Sequence, residues 1–170
     1  MNTARSNNRH RDGSTLIEAA IASGVLAVVI PLVCGVLAAA GKTGLASQAD
    51  TRSTWIIPAC IDEIRASRAG CPRYFPPTAA GEAFPPSGEV WALAFSADGK
   101  LLGKIPRELH DRGTREIDGI PVRYIASMSS SPPPAATAGP QLLPVHISLE
   151  FPASAPAAKR HQLAFHTLMP

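Results

Sequence analysis

Glu18 is the only charged residue among the 25 from Leu16 to Ala40. A lone carboxylate in an apolar run is costly to bury unless a cation meets it, and one that is kept there marks a functional position. The chemistry it offers is ion pairing.

Elsewhere the chemically capable residues are scattered. The histidines beyond residue 13 are His110, His146, His161 and His166. His161 and His166 are five apart, so a regular strand points them to opposite faces and they make a poor metal pair. His146 falls on the polar face of an alternating segment, where solvent claims it. His110 and Asp111 fall in a charged stretch read as a loop. Asp98-Gly99 reads as a turn, because no second acidic residue follows at calcium-binding spacing. Neither a Gly-x-Ser-x-Gly elbow nor a phosphate-cradling glycine loop occurs in the sequence. No catalytic residue, metal site or cofactor is therefore expected, and the chain is read as a non-enzyme.

Three cysteines are too few for a disulfide framework. Cys34 lies inside the apolar run. Cys60 and Cys71 are eleven apart and form a candidate disulfide if that part of the chain lies outside the cytoplasm. Geometry decides between that pairing and two free thiols.

The elements that hold these residues follow from composition. At 170 residues the chain has room for one ordinary domain and a membrane segment. Charged residues make up 17%, below the usual ~25%, and the apolar run accounts for much of that deficit. Net charge is +3, and the segment before Ser14 supplies Arg5, Arg9 and Arg11 against Asp12. No basic patch argues for nucleic acid.

As a helix, the run from Leu16 to Ala40 spans about 37 Å, more than the ~30 Å hydrocarbon core of a bilayer. The arginines before it hold that end in the cytoplasm. Ala38-Ala39-Ala40-Gly41 imitates a signal-peptide cleavage site, which makes cutting there a competing outcome. A bulky Val33 directly before Cys34 argues against lipoprotein processing.

A short basic leader, Gly13, then Ser14-Thr15-Leu16-Ile17-Glu18 and a long apolar helix resemble the type IV prepilin N-terminus. Type IV pilins, minor pilins and type II secretion pseudopilins share it. The resemblance implies cutting after Gly13 by a prepilin peptidase and an N-methylated Ser14 as the mature N-terminus. Glu18 would then be the fifth mature residue. Ser14 stands where that family usually has Phe or Met. The motif and its helix cover perhaps a quarter of the chain. A freshly cut α-amine on a neighbouring subunit is a cation of the kind Glu18 needs. Small residues in the run, among them Ala19, Ala20, Ala22, Gly24 and Gly35, let helices approach closely.

The expected organisation is a leader at 1–13, a membrane or filament-core helix at 14–40, an amphipathic continuation at 41–70 and a sheet domain at 71–170. Pro31 and Pro58 each remove a helix hydrogen bond and are expected to bend or split the helix. Trp55, Ile56, Cys60 and Ile64 form the stripe expected to pack on the sheet. Gly70 and Pro72 mark the stop. Residues 71–88 and 129–140 are Pro-rich loops.

Alternation puts strands at 89–95, 120–128, 145–151 and 162–168, with an Asp98-Gly99 hairpin turn between the first and the apolar Leu101-Leu102, and Pro121 at an edge or strand start. The fold class is α+β: a long N-terminal helix packed on an antiparallel sheet of about four strands, pilin-like.

Three functions fit the sequence. The first is a filament subunit held in the inner membrane as a single-pass protein with its N-terminus cytoplasmic. Its partners would be a prepilin peptidase, other pilin or pseudopilin subunits, the assembly platform and membrane lipid. The second is a binding module on an uncleaved signal anchor. The third is a secreted enzyme cut after the alanine run.

Overall fold

The computed structural model describes residues 11–79, 82–86, 88–131 and 142–169. The protein is α+β, with a long N-terminal helix and a five-stranded antiparallel sheet. It divides into two compact units, Met1–Leu45 and Ala46–Pro170. Residues 1–10, which fall in the stretch expected as a leader at 1–13, lie outside the described residues.

Helix α1 runs from Arg11 to Arg68. Neither Pro31 nor Pro58 breaks it. Each sits on an exposed side of the helix. A mid-helix proline forfeits one bond to the carbonyl four residues back, and intact turns on either side carry the helix through. At the far end, the Cys71 N–H donates to the Ala66 carbonyl at 2.9 Å and the Gly70 N–H to Ser67 at 3.3 Å. Gly70 takes φ +72°, the left-handed turn that closes a helix and that glycine adopts without strain.

In the second unit α1 buries Ala49, Ser53, Ile56, Cys60, Glu63, Ile64 and Ser67. These recur at three and four residues, one face of a helix. Trp55, expected in that stripe, is instead 68% exposed. One residue of offset turns it roughly 100° away from Ile56.

The strands are β1 (Trp91–Phe95), β2 (Leu101–Ile105), β5 (Tyr124–Ser130), β6 (Leu143–Phe151) and β7 (His161–Met169), in the order β2-β1-β5-β6-β7. There are five where about four were expected, because Leu101–Ile105 folds back on β1. The Ser96 N–H bonds Lys100 and the Gly99 N–H bonds Ser96, both at 3.0 Å, closing the Asp98-Gly99 turn.

The segment expected as one strand from Ile120 splits. Strand β4 (Ile120–Pro121) pairs with β3 (Glu116–Ile117) in a separate ribbon, through a turn with positive φ at Asp118 and Gly119. The Val122 N–H then bonds Arg115, and the Arg123 N–H bonds Phe95 as the chain enters the main sheet. Between β2 and β3 lies a short helix, α2 (Arg107–Arg112), where a loop was expected.

Alternation gives the sheet two different faces. Trp91, Leu93 and Phe95 share one with Ala126, Met128, Ile147 and Leu149. On this face Trp91 is stacked between Phe75 and Phe84, with ring centroids 4.6 and 4.8 Å away. Such pairs contribute about 0.5–1.5 kcal/mol beyond area burial, and they tie the Pro-rich loop to β1. The loop is also held by the Glu63 carboxylate, which accepts from the Tyr74 N–H at 2.8 Å. Reciprocal bonds join Phe84 and Ser130: the Phe84 N–H donates to Ser130 Oγ at 2.6 Å, and the Ser130 N–H to the Phe84 carbonyl at 2.7 Å. The other face carries Ala92, Ala94 and Ile125, packed with Ile105, Val122 and Ala153.

Candidate functional site

In the first unit the backbone of Gly13 and Ser14 belongs to α1, and the Ser14 side chain lies outside what the structure describes. Glu18 is exposed, one turn further on. Around and beyond it the helix presents bare apolar surface: Leu16 is 74% exposed, and Ile17, Ile21, Leu26, Val28 and Leu32 are exposed with it. A helix that is hydrophobic all round is stable only when lipid or other helices cover it. Two of its described polar side chains, Ser23 and Thr43, are satisfied within the helix. Ser23 Oγ donates to the Ala19 carbonyl at 2.8 Å, and Thr43 Oγ1 to Ala39 at 3.1 Å. Bonding of this kind is what an apolar surrounding requires. The helix is long and apolar enough to cross a membrane. The exposed Glu18 carboxylate needs a cation wherever lipid or protein covers the helix.

The second unit places the two candidate disulfide cysteines apart in character. Cys60 is buried, Cys71 is exposed, and both are free thiols. Cys60 belongs to the stripe that faces the core, while Cys71 follows the end of α1 on the solvent side. Burial pushes the Cys60 thiol up to about 12, with the Glu63 charge adding to the effect. It is a small apolar core residue rather than a nucleophile.

The strongest polar constellation lies on the sheet face away from this stripe, and sequence reasoning missed it. Glu150 of β6 is buried and accepts from Arg160 Nη1 at 2.7 Å and Ser127 Oγ at 2.9 Å. His110 Nε2 lies 3.2 Å from the same carboxylate. Arg160 also donates through Nε to the Ala155 carbonyl at 2.8 Å and through Nη2 to the His110 carbonyl.

Burial alone would raise the Glu150 carboxyl. The bonds from His110, Arg160 and Ser127 outweigh it and hold it below its ordinary value. The bond to Glu150 raises His110, against burial and the Arg160 charge. The group clamps α2 and the 152–160 connection onto β5 and β6. The only sequence signal for it is an acid, Glu150, sitting among the apolar residues of a strand; its partners come from three distant segments.

Among the described residues no cluster of three or more metal-ligating side chains occurs. Compared with models of protein families, with curated proteins and with solved structures, the chain matches none.

Proposed function

We propose that this protein is a structural subunit of a filament of the type IV pilus or type II secretion pseudopilus kind, cut by a prepilin peptidase after Gly13. The observation that carries this is one helix that joins the Gly13–Glu18 motif to a bare apolar surface, ahead of an α+β unit. The subunit waits in the inner membrane with its N-terminus cytoplasmic. The assembly platform then draws it into the filament, where neighbouring helices replace lipid around α1. Glu18 pairs there with the N-methylated amine of Ser14 on another subunit. A proline-rich, loosely patterned second unit favours a minor subunit.

The same helix fits a binding module held on the membrane by an uncleaved anchor. N-terminal sequencing after co-expression with a prepilin peptidase separates the two. The filament subunit begins at Ser14 and the anchored module at Met1, whereas a secreted protein would begin near Gly41. Gly13→Leu should block the cut. Unchanged processing of that variant would remove the peptidase from the scheme.

A further inference from the structure

His146 and His166 are twenty residues apart in the chain and directly opposite each other in register on β6 and β7. Their ring centroids lie 4.7 Å apart with the planes tilted 52°. The sequence gives no hint of this pairing, because it depends on the β6–β7 register. Ser129 of β5 stands opposite His146 on its other side. The three residues therefore form a row across three strands of one sheet face, at the end away from Glu150. The row lies in an open groove of about 570 Å³ lined also by Ser131, Pro144 and Leu168. His166 and Leu168 are exposed there, and His146 is half-buried. Both imidazoles are thus within reach of a solute.

We propose that His146 and His166 chelate one divalent late first-row transition-metal ion, copper(II) most tightly. Neutral imidazole is a ligand for copper, nickel and zinc, and copper(II) leads the divalent series in affinity. Two nitrogens on one ion lie no more than about 4.2 Å apart, twice a metal–nitrogen bond of about 2.1 Å. The ring centres, 4.7 Å apart and tilted, already stand close to that spacing. The pair sits on two hydrogen-bonded strands, so little freedom is lost when the ion arrives. With no third protein ligand among the described residues, water completes the coordination and the ion remains exchangeable. Ser129 is placed to hydrogen-bond such a water.

The test is a copper(II) titration of the full-length protein in mild detergent, with its accessible thiols alkylated beforehand, followed by electron paramagnetic resonance. One ion per chain with coupling to two nitrogens is expected. His146→Ala and His166→Ala should each weaken binding by at least about tenfold, since even losing a ligand's supporting partner costs about that much. His161→Ala and His10→Ala should bind as the parent does. Equal binding by His146→Ala and the parent, or a spectrum without the two-nitrogen pattern, would overturn the proposal.

Discussion

Arg160 Nη1 donates to Glu150 Oε2 across 2.7 Å, and both side chains are buried. The guanidinium reaches two backbone carbonyls as well, so one side chain joins β6, the end of α2 and the 152–160 connection. Such a group stabilises the fold only while it is complete. Removing one partner leaves a buried charge, which costs about 3–5 kcal/mol, whereas replacing the set by apolar residues is often neutral. Arg160→Met should therefore lower the unfolding free energy of the second unit by about 3–5 kcal/mol. Glu150→Leu combined with Arg160→Met should recover part of that loss. Urea unfolding followed by near-ultraviolet circular dichroism measures both. A double variant no better than the single would show that Glu150 is not the group left stranded.

The same residues set a pH dependence. The folded His110 titrates above its ordinary 6.5, so its contribution is complete below pH 6.5 and is lost as pH rises through the raised value. The folded Glu150 titrates below its ordinary 4.5, so its contribution is complete above pH 4.5 and is lost as pH falls through the lowered value. Stability of the second unit should thus peak between pH 4.5 and 6.5. Asp111, 3.2 Å from His110 Nδ1, reinforces the histidine charge, and Arg160 opposes it. His110→Asn should flatten the alkaline side of the profile and leave the acid side in place. An unchanged alkaline slope in that variant would assign it to other groups.

Gly113 is tested by a single methyl group. Its φ is +99°, and a Cβ there would stand 2.7 Å from the Ser154 carbonyl oxygen and 2.8 Å from that of Ala155. Both neighbours are backbone and cannot swing aside. Gly113→Ala should cost at least about 1–3 kcal/mol, the range for a residue forced into a sparsely populated backbone region. The residue also follows α2, so the loss should appear as exposure of His110. Parental stability for Gly113→Ala by thermal melting would mean that the 152–155 segment yields easily.

The parts of this fold that the sequence discloses are those in which neighbours in the chain are neighbours in space. Val145, Ile147, Leu149 and Phe151 alternate, and they lie on one face of β6. Asp98-Gly99 turns the chain with a four-residue closure. Gly70 ends α1 by local backbone geometry.

What stays hidden depends on register between distant segments. Glu150 reads as one more polar strand residue until residues 110, 127 and 160 are brought to it. His146 and His166 read as solvated singles until β7 is laid against β6. Leu101-Leu102 after the Asp98-Gly99 turn marks the start of β2, but Gly103 and Lys104 obscure its extent, which only the pairing with β1 shows. Pro31 and Pro58 mislead in the other direction, because one lost bond is small beside the length of helix on either side. At the candidate assembly site the sequence shows nearly as much as the structure does: Glu18 is a carboxylate on an exposed apolar helix in both.

Glu18 supplies the decisive test of assembly. If its carboxylate pairs with the amine of Ser14 on a neighbour, removing it should leave membrane insertion intact and impair association. Glu18→Ala makes the run more apolar, so insertion should be as good or better. What disappears is the attraction that sets one helix against the next. The neighbour's amine, left buried and unpaired, adds a penalty that reaches about 3–5 kcal/mol when one partner of a buried pair is removed. Glu18→Gln keeps hydrogen bonding and loses the charge, so it should fall between the two. A carboxylate that merely rests among lipid headgroups predicts no defect in either variant. Crosslinking of each variant to partner subunits, at matched membrane levels, distinguishes these outcomes. Parental association by Glu18→Ala would take away the contact on which the filament model turns.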